Sequence, residues 1–556
     1  MNPNTNSNPK ILIAGAGPSG LILALALRRL GVPLKIIEKS PTPSTGQRGF
    51  GIQPRTQELF HALGVLDDIN KRSIVLPPMR SYVSPEGVIP LKTFHLTPPM
   101  EPTPARPLGN IITIGQDHLE DVLRIALQKY SCEVEFGTSL VSFTQDADGV
   151  DAIIKGEKGQ EETHRFDFLI GADGARGVVR KQLGLSFLGE SRPFVKFIIA
   201  DVRIEGIDEE HWHTWGDPKA DSVLLRPTGI PGLFQLAITL AGSNGDHDAV
   251  MKDQIALQNT INTVTGRTDL NLVEVVWITL WTPNIRMTDT FSAGRCFLTG
   301  DAAHVHSPTG GQGINSSAQD SLNLAWKLAL VVKGQASTSL LDSYNDERLP
   351  VIAEMLGKTT GLLDKTVNAD NITGDISRWD RSGPLLMLGV NYRWSVIVLD
   401  EQDDGENVAE SQKDPYGVRI QGLKAGDRAP DASELKDTRS GQSGVRLFGV
   451  FDLARHTVLV FSSAPERYNA VVAQLSRYPE GSAACVGIAR AGEGISGAAG
   501  QGAVTILEDP NGHAYAAYHS EFKGGCDIVV VRPDGVIGAV VRSPEAVGRY
   551  FAKIFA

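Results

Sequence analysis

The stretch that most constrains this chain is residues 10–39, KILIAGAGPSGLILALALRRLGVPLKIIEK. An apolar run at 11–14 leads into Gly15-x-Gly17-x-x-Gly20. A helical pattern covers 21–30, Gly31 stops it, and a second apolar run at 34–37 ends on Glu38. Strand, glycine turn, helix, strand and acid in this order form the fingerprint of a dinucleotide-binding βαβ unit. Gly15 permits the tight turn, Gly17 lets backbone approach a pyrophosphate, and Gly20 lets helix and strand pack closely. Pro18 and Ser19 sit at the helix start, where free N–H groups and the positive dipole end favour phosphate. Glu38, followed by Lys39, can accept hydrogen bonds from ribose hydroxyls. This unit alone admits FAD or NAD.

The totals set the frame. A chain of 556 residues exceeds one core and implies two to four domains. Its net charge of −11 argues against nucleic acid or an anionic membrane as the main partner. The four cysteines (Cys132, Cys296, Cys485, Cys526) lie far apart, with no CxxC and no metal-ligand spacing, so no metal is expected. Such thiols fit a reducing, cytoplasmic location. Residues 1–9 read as a polar, disordered tail, and no apolar run reaches the roughly 18 residues of a membrane span.

Along the chain, a Pro/Thr/Ser/Gly-rich loop with Arg48 follows the fingerprint, and a helix is predicted from 54 to 63. A strand at 79–83 lies within a proline-rich stretch. A helix over 117–130 precedes strands at 133–136, 140–144, 150–155 and 166–170, the last running into Asp173-Gly174. From about 193 to 281 strand-like runs dominate, with one helix over 248–264, which predicts an inserted, mainly antiparallel sheet domain. A strand at 296–298 then ends on Gly300-Asp301, and long helices are expected over 313–332 and 339–356. Residues 400–415 form an acidic linker. Beyond it a fresh α/β pattern runs through strands at 457–461 and 504–507, helices at 467–475 and 544–554, and a hairpin turning at Pro533-Asp534-Gly535.

Three glycine–acid sites therefore occur in order, each at the C-terminal end of a predicted strand: Gly15 with Glu38, Asp173-Gly174, and Gly300-Asp301. In an open parallel sheet those ends share the ligand-binding edge. The third site continues through Pro308, Gly311 and Gly313 into Ile314 and Asn315, a glycine loop feeding a helix whose N–H groups can face an electron-rich ligand. An NAD-dependent dehydrogenase explains the first site but not the other two.

The pattern resembles the class A FAD-dependent aromatic monooxygenases, the para-hydroxybenzoate hydroxylase and phenol hydroxylase-like family. The matching residues include Arg48, Arg55-Thr56, Gln116, FLIGADGARGVVR at 168–180, GRCFLTGDAAH at 294–304, Asp320, WKLA, and SYNDER at 343–348. The resemblance implies that Glu38 binds the adenosine ribose and that Arg48 serves the pyrophosphate or flavin side. Gln116 and Asp301 would contact the FAD chain, Asp173 would support FAD and NADPH handling, and the Pro308–Gly313 loop would lie at the flavin ring. Two departures stand out: Gly177 replaces the family's usual serine, and the helix after the glycine loop begins Asn315-Ser-Ser instead of with a further glycine. The C-terminal part resembles the thioredoxin-like domain appended to phenol hydroxylases, but Ser462–Arg467 holds no dithiol, so disulfide exchange is excluded. It is read as structural or as a dimer contact in a homodimer.

The expected fold is α/β: a Rossmann-like FAD-binding domain (10–190 and 282–365), an inserted antiparallel sheet domain for substrate (191–281, with 75–110), a helical segment and linker (366–415), and a thioredoxin-like domain (416–556). The resemblance implies NAD(P)H as transient donor, O2 as co-substrate, and hydroxylation of a phenolic ring through a flavin C4a-hydroperoxide. Candidates on the substrate side are Tyr82, His211, His213 and Arg226, with His304 and His306 beside the third site. Arg226 could instead pair with a substrate carboxylate, which would admit decarboxylative hydroxylation of a hydroxybenzoate. An oxidase, a halogenase or a non-catalytic FAD-binding protein are the alternatives.

Overall fold

The structure is a computed structural model describing all residues except 1–7, 84–85, 193–194, 218, 243–244, 308–309, 369–378, 403–413, 418–421, 493–503 and 519–526. Its first sheet runs Ser292–Ala293, Cys296–Leu298, Phe168–Gly171, Ile11–Ala14, Leu34–Glu38, Val134–Phe136. All pairs but the first are parallel. Strands Ile11–Ala14 and Phe168–Gly171 are buried throughout, as a sheet covered on both faces requires. Chain order reverses beside Ile11–Ala14, so the ligand crevice of such a sheet opens above this strand and Phe168–Gly171.

The fingerprint helix Pro18–Arg29 is apolar nearly all round, and every residue from Gly20 to Leu27 is buried. It packs between the long helix Gly313–Val332 and the amphipathic helix Gln116–Gln128. The helix Gly313–Val332 is buried without a break from Asn315 to Ala329.

The second sheet has seven strands in the order Asn271–Trp281, Phe197–Glu205, Leu233–Leu240, Asp221–Pro227, Trp212–Gly216, Met79–Tyr82, Pro90–Phe94. It is antiparallel except for the pairing of Trp212–Gly216 with Met79–Tyr82. One face carries Ile198, Ala200, Val202, Val223, Leu225 and Leu236, and is buried against Leu257 and Ile261 of helix Gln254–Thr265. The other face turns toward the first domain.

The C-terminal sheet runs Leu399–Asp400, Ile537–Val541, Ile528–Val531, His456–Phe461, Ala483–Arg490, Val504–Asp509, Lys436–Asp437. His456–Phe461 pairs in parallel with Ala483–Arg490 and antiparallel with Ile528–Val531. Its helices Pro465–Leu475 and Pro544–Phe551 cover one side, and Val458, Val460, Tyr550 and Phe551 join the same core as the fingerprint helix.

Several elements differ from expectation. The strand Trp212–Gly216 was not foreseen, because HWHTW shows no aliphatic alternation. Ala483–Arg490 was also missed, because alanine and glycine have low strand propensity. Its Gly487 is required by packing, since a Cβ there would come within 2.7 Å of the Tyr468 ring. The helix expected over 248–264 breaks at Asp253 into His247–Lys252 and Gln254–Thr265, because Asp253 caps the second part through Ile255 N. The strand placed at 166–170 splits: Glu161–Phe166 belongs to a separate antiparallel sheet, and Phe168–Gly171 to the parallel one. The second long helix extends over Asp342–Asn368 despite Pro350. Much of the expected linker lies outside the described residues. No helix among the described residues is long and apolar enough to cross a membrane.

Candidate active site

The fingerprint turn is shaped by close approach. Gly15 has φ +107°, and a Cβ there would sit 2.2 Å from the Ala172 carbonyl oxygen. A Cβ on Gly20 would sit 2.1 Å from the Gly15 oxygen, yet one on Gly17 would meet no protein atom within 4 Å. Two of the glycines thus make room for protein, and the third faces open space. Gly17 precedes a helix with Pro18 at its first turn and no side-chain cap, so the N–H groups there are free for an anion. Glu38 braces the turn: Ala16 N donates to Oε2 (3.0 Å) and Ser40 N to Oε1 (2.9 Å). Lys39 is exposed. These features fit a dinucleotide pyrophosphate.

The structure brings the third glycine–acid site against this turn. A Cβ on Gly300 (φ +59°) would lie 2.0 Å from Ser19 Oγ, and Ser321 Oγ donates to Ser19 O at 2.9 Å. Asp320, fully buried, fixes the segment. Its Oδ2 accepts from Gly300 N (3.3 Å) and lies 2.7 Å from His304 Nε2, while Oδ1 accepts from Arg348 Nε at 2.7 Å. Burial alone would raise this carboxyl, but Arg348 and His304 outweigh it and hold it below the usual range. His304 is therefore a buried anchor, partnered by Asp320. Asp301, one residue on from Gly300, makes no hydrogen bond among the described residues. It is reachable by solvent yet closely surrounded by protein, and desolvation raises its pKa. An exposed carboxylate without a hydrogen-bond partner among the described residues is suited to accept from a ligand hydroxyl.

Asp173 lies at the start of the short helix that follows its motif. Its Oδ2 accepts from Val178 N (2.6 Å) and Val179 N (3.2 Å), at the start of helix Val178–Gln182, and burial raises its pKa. A Cβ at residue 177 would lie 2.0 Å from Asp173 Oδ1, so Gly177 is what allows this carboxylate to turn onto the helix. Among the described residues, Oδ1 is buried without a partner. Arg180 links this site to the third one, donating to Ala302 O (3.1 Å) and to Ala175 O (2.7 Å).

Of the glycine loop, Pro308 and Thr309 lie outside the described residues. Gly310 and Gly311 take φ of +99° and +61°. Asn315 ties the loop to the strand Gly51–Ile52: it donates to Gly51 O (2.8 Å) and Gly311 O (2.6 Å) and accepts from Gln53 N (2.8 Å). The helix begins at Gly313 with no side-chain cap and no acid in its first turn. Ile314 packs against Gly49, and Gly313 against His306, which burial keeps neutral, its pKa pulled down to about 4. Gln116 donates to Glu120 (2.8 Å), which also accepts from the Ser44 hydroxyl, while exposed Arg48 lies 5.8 Å from the Trp277 ring.

On the substrate side the candidates part company. Strand alternation and the register His213↔Leu225 put His213 on the helix-covered face of the seven-stranded sheet. Tyr82 lies on the same face: its hydroxyl is 2.6 Å from His213 Nδ1, and its ring stacks on Trp215 at 4.8 Å. Tyr82 and His213 thus lie on the sheet face turned away from the first domain. His211 is held between Arg80 (2.7 Å) and Asp208 (2.8 Å) in the same cluster. Arg226 does face the first domain. Its guanidinium stacks 3.9 Å from the Phe50 ring and donates to Gln47 Oε1 (3.0 Å), Gln235 Oε1 (3.4 Å) and Pro227 O (3.1 Å). Sequence reasoning missed Asp201, Gln235 and Trp212, which share this face. The available signal was a polar residue interrupting each apolar strand, as in FIIADVRIE and LFQLAITL.

A βαβ dinucleotide unit, a second sheet beside its crevice and a free carboxylate at a glycine turn define a flavin-type nucleotide-binding protein. The family model described as the FAD binding domain matches residues 8–359. A flavin-dependent monooxygenase of Mycobacteroides abscessus is 33% identical over 98% of this chain and 99% of its own length. Pentachlorophenol 4-monooxygenase of Sphingobium chlorophenolicum is 30% identical over 82% of this chain and 81% of its own length. Among solved structures, a ternary complex of aklavinone-11 hydroxylase with FAD and aklavinone aligns with TM-score 0.77 and 25% identity, covering 99% of both chains. The chain belongs to the class A FAD-dependent aromatic monooxygenases.

Proposed function

We propose that this enzyme hydroxylates a phenolic aromatic substrate with O2, taking electrons transiently from NAD(P)H. Bound FAD supplies the oxygen-activating chemistry. The chain's residues supply position and charge. The fingerprint turn and Glu38 would hold the ADP end, Asp301 a hydroxyl of the linking chain, and the uncapped helix start at Gly313 would face the electron-rich ring edge. The observation that carries the reading is the meeting of Gly17, Ser19, Gly300 and Asp301 at one crevice, opposite a sheet face with polar and apolar parts.

That face includes Trp212 and Leu224, packed with Phe94, Leu96 and Trp379, which suits the apolar body of an aromatic substrate. Relatives named for 6-methylpretetramide and aklavinone act on such molecules. Arg226 is already engaged by four groups, which disfavours the decarboxylative route through a substrate carboxylate. The test is a panel of phenols scored by NAD(P)H oxidation and by product mass. Substrate-stimulated oxidation with one added oxygen per turnover supports hydroxylation. Hydrogen peroxide without hydroxylated product points to an oxidase.

We also read 416–556 as thioredoxin-like. The strand order Ala483–Arg490, His456–Phe461, Ile528–Val531, Ile537–Val541, with its first pair parallel and the rest antiparallel, supports this. Without a dithiol at 462–467 its role is structural, and it should show no insulin-reducing activity.

A further inference from the structure

Three adjacent strands of the seven-stranded sheet converge on one residue of the cofactor loop. Asp201 Oδ2 accepts from Gln47 N at 2.8 Å, Gln235 Nε2 donates to Gln47 O, and Arg226 Nη2 donates to Gln47 Oε1 at 3.0 Å. The register Asp201↔Gln235↔Arg226 sets the three side chains in a row on one face. All four residues are buried, with Gln47 at 2% exposure and Arg226 at 1%. Three of the four polar groups of Gln47 are thereby held by another element of the protein. Three residues further along, the Phe50 ring lies under the Arg226 guanidinium and 5.7 Å from Trp212.

The held segment leads in two directions. Arg48 and Gly49 follow Gln47, and Gly49 abuts Ile314 at the start of the glycine-loop helix. Gly51 and Gln53 then bond to Asn315. The sheet face and the flavin-side loops are thus joined through residues 47–53.

We infer that Asp201, Gln235 and Arg226 are positioning residues: they clamp Gln47 and so set the 47–53 segment against the flavin, and Arg226 is not an anion clamp for substrate. The inference rests on the reading that this segment borders bound FAD. A guanidinium stacked on Phe50 and shared among Gln47, Gln235 and Pro227 has both Nη2–H groups in use; what remains is one Nη1–H and the Nε–H, unpartnered among the described residues, and these two do not lie side by side. A bidentate grip on a carboxylate needs two parallel N–H donors.

The test uses Gln47→Ala, Arg226→Gln, Arg226→Lys and the double variant Gln47→Ala/Arg226→Gln in the full chain. FAD affinity is read by quenching of flavin fluorescence. Gln47→Ala and Arg226→Gln are each expected to weaken it on the order of tenfold, and the double change no further, because residues acting through one contact are non-additive. Arg226→Lys should recover most of the loss. In the apoprotein, tryptic cleavage after the exposed Arg48 should speed up in Gln47→Ala and Arg226→Gln alike. Product-like, hundredfold weakening in the double variant overturns the clamp. So do unchanged cleavage rates, or an Arg226→Gln effect confined to a raised KM for carboxylated phenols. If the wild-type chain binds no FAD, the functional reading fails, and the cleavage rates still decide the clamp.

Discussion

At the first turn of helix Gly313–Val332 the backbone N–H groups have no side-chain cap. Two to three turns further on, the same helix inserts Asn323, Trp326 and Lys327 into a cluster where every charge is matched. Glu347 accepts from Arg532 (2.7 and 3.0 Å), Lys327 (2.9 Å), Asn323 (2.6 Å) and Ser395 (2.6 Å). Arg532 also pairs with Asp534, which accepts from Trp326 Nε1 at 3.2 Å. Two acids and two bases cancel in a region with almost no solvent exposure. Burial alone would raise the Glu347 carboxyl, but Arg532 and Lys327 outweigh it and hold it well below the usual range. Nearby, Glu58 joins Arg55 (2.9 Å) to Arg428 (2.8 Å) of the C-terminal domain. The cleft leaves polar groups unsatisfied for a ligand. The interface pairs its charges from within, at a desolvation cost that only complete charge pairing offsets.

The largest effect expected from breaking this contrast is Glu347→Ala. It strands Lys327 in the core, leaves Arg532 with Asp534 alone, and should cost about 3–5 kcal/mol, read by urea denaturation. Next is Gly15→Ala, which places a Cβ against the Ala172 carbonyl at positive φ and should cost roughly 2 kcal/mol or more. Gly17→Ala, facing open space, should leave the apoprotein's unfolding midpoint unchanged and weaken FAD binding only. Asp301→Ala should likewise spare the midpoint and lower flavin occupancy after gel filtration; full occupancy would sink its placement.

The smallest effect is in pH dependence, where the two regions should pull in opposite directions. Glu347 is depressed, so its contribution is present above the unfolded carboxylate pKa and fades as pH falls below it. Asp201 is pushed up by burial from 3.8 to about 6, with Asp117 adding to the rise and Arg226 and His118 opposing it. Its contribution is complete below 3.8 and lost as pH rises through 6. Asp201→Asn should therefore flatten the stability profile between pH 4 and 6 by about 1–2 kcal/mol, measured by denaturation at each pH.

The fingerprint was legible because glycine spacing, apolar runs and a terminal acid are all local. The strands 11–14, 150–155, 233–240 and 296–298 and the helix Gly313–Val332 were legible for the same reason. Side-chain direction was not. Tyr82 and His213 looked like substrate-side groups, but one residue of register decides which face of a sheet a side chain takes, and register depends on distant strands. The Asp173 motif was visible, while its helix-capping role depends on Gly177 and could be seen only in three dimensions. Lys327 and Glu347 stood out within WKLA and SYNDER, but their pairing with Arg532 carried no signal, since partners 185 residues apart share no local pattern.

The Glu347–Arg532 pairing has a practical consequence for building hybrids. A chimera joined anywhere between residues 348 and 531 takes the two halves of this cluster from different parents. Exchange of the C-terminal portion among relatives should therefore succeed only when residues 323, 326, 327 and 347 travel with it, or when both parents already agree at those positions. The sequence joint that looks most natural, the acidic stretch at 400–415, is for this reason a poor place to cut.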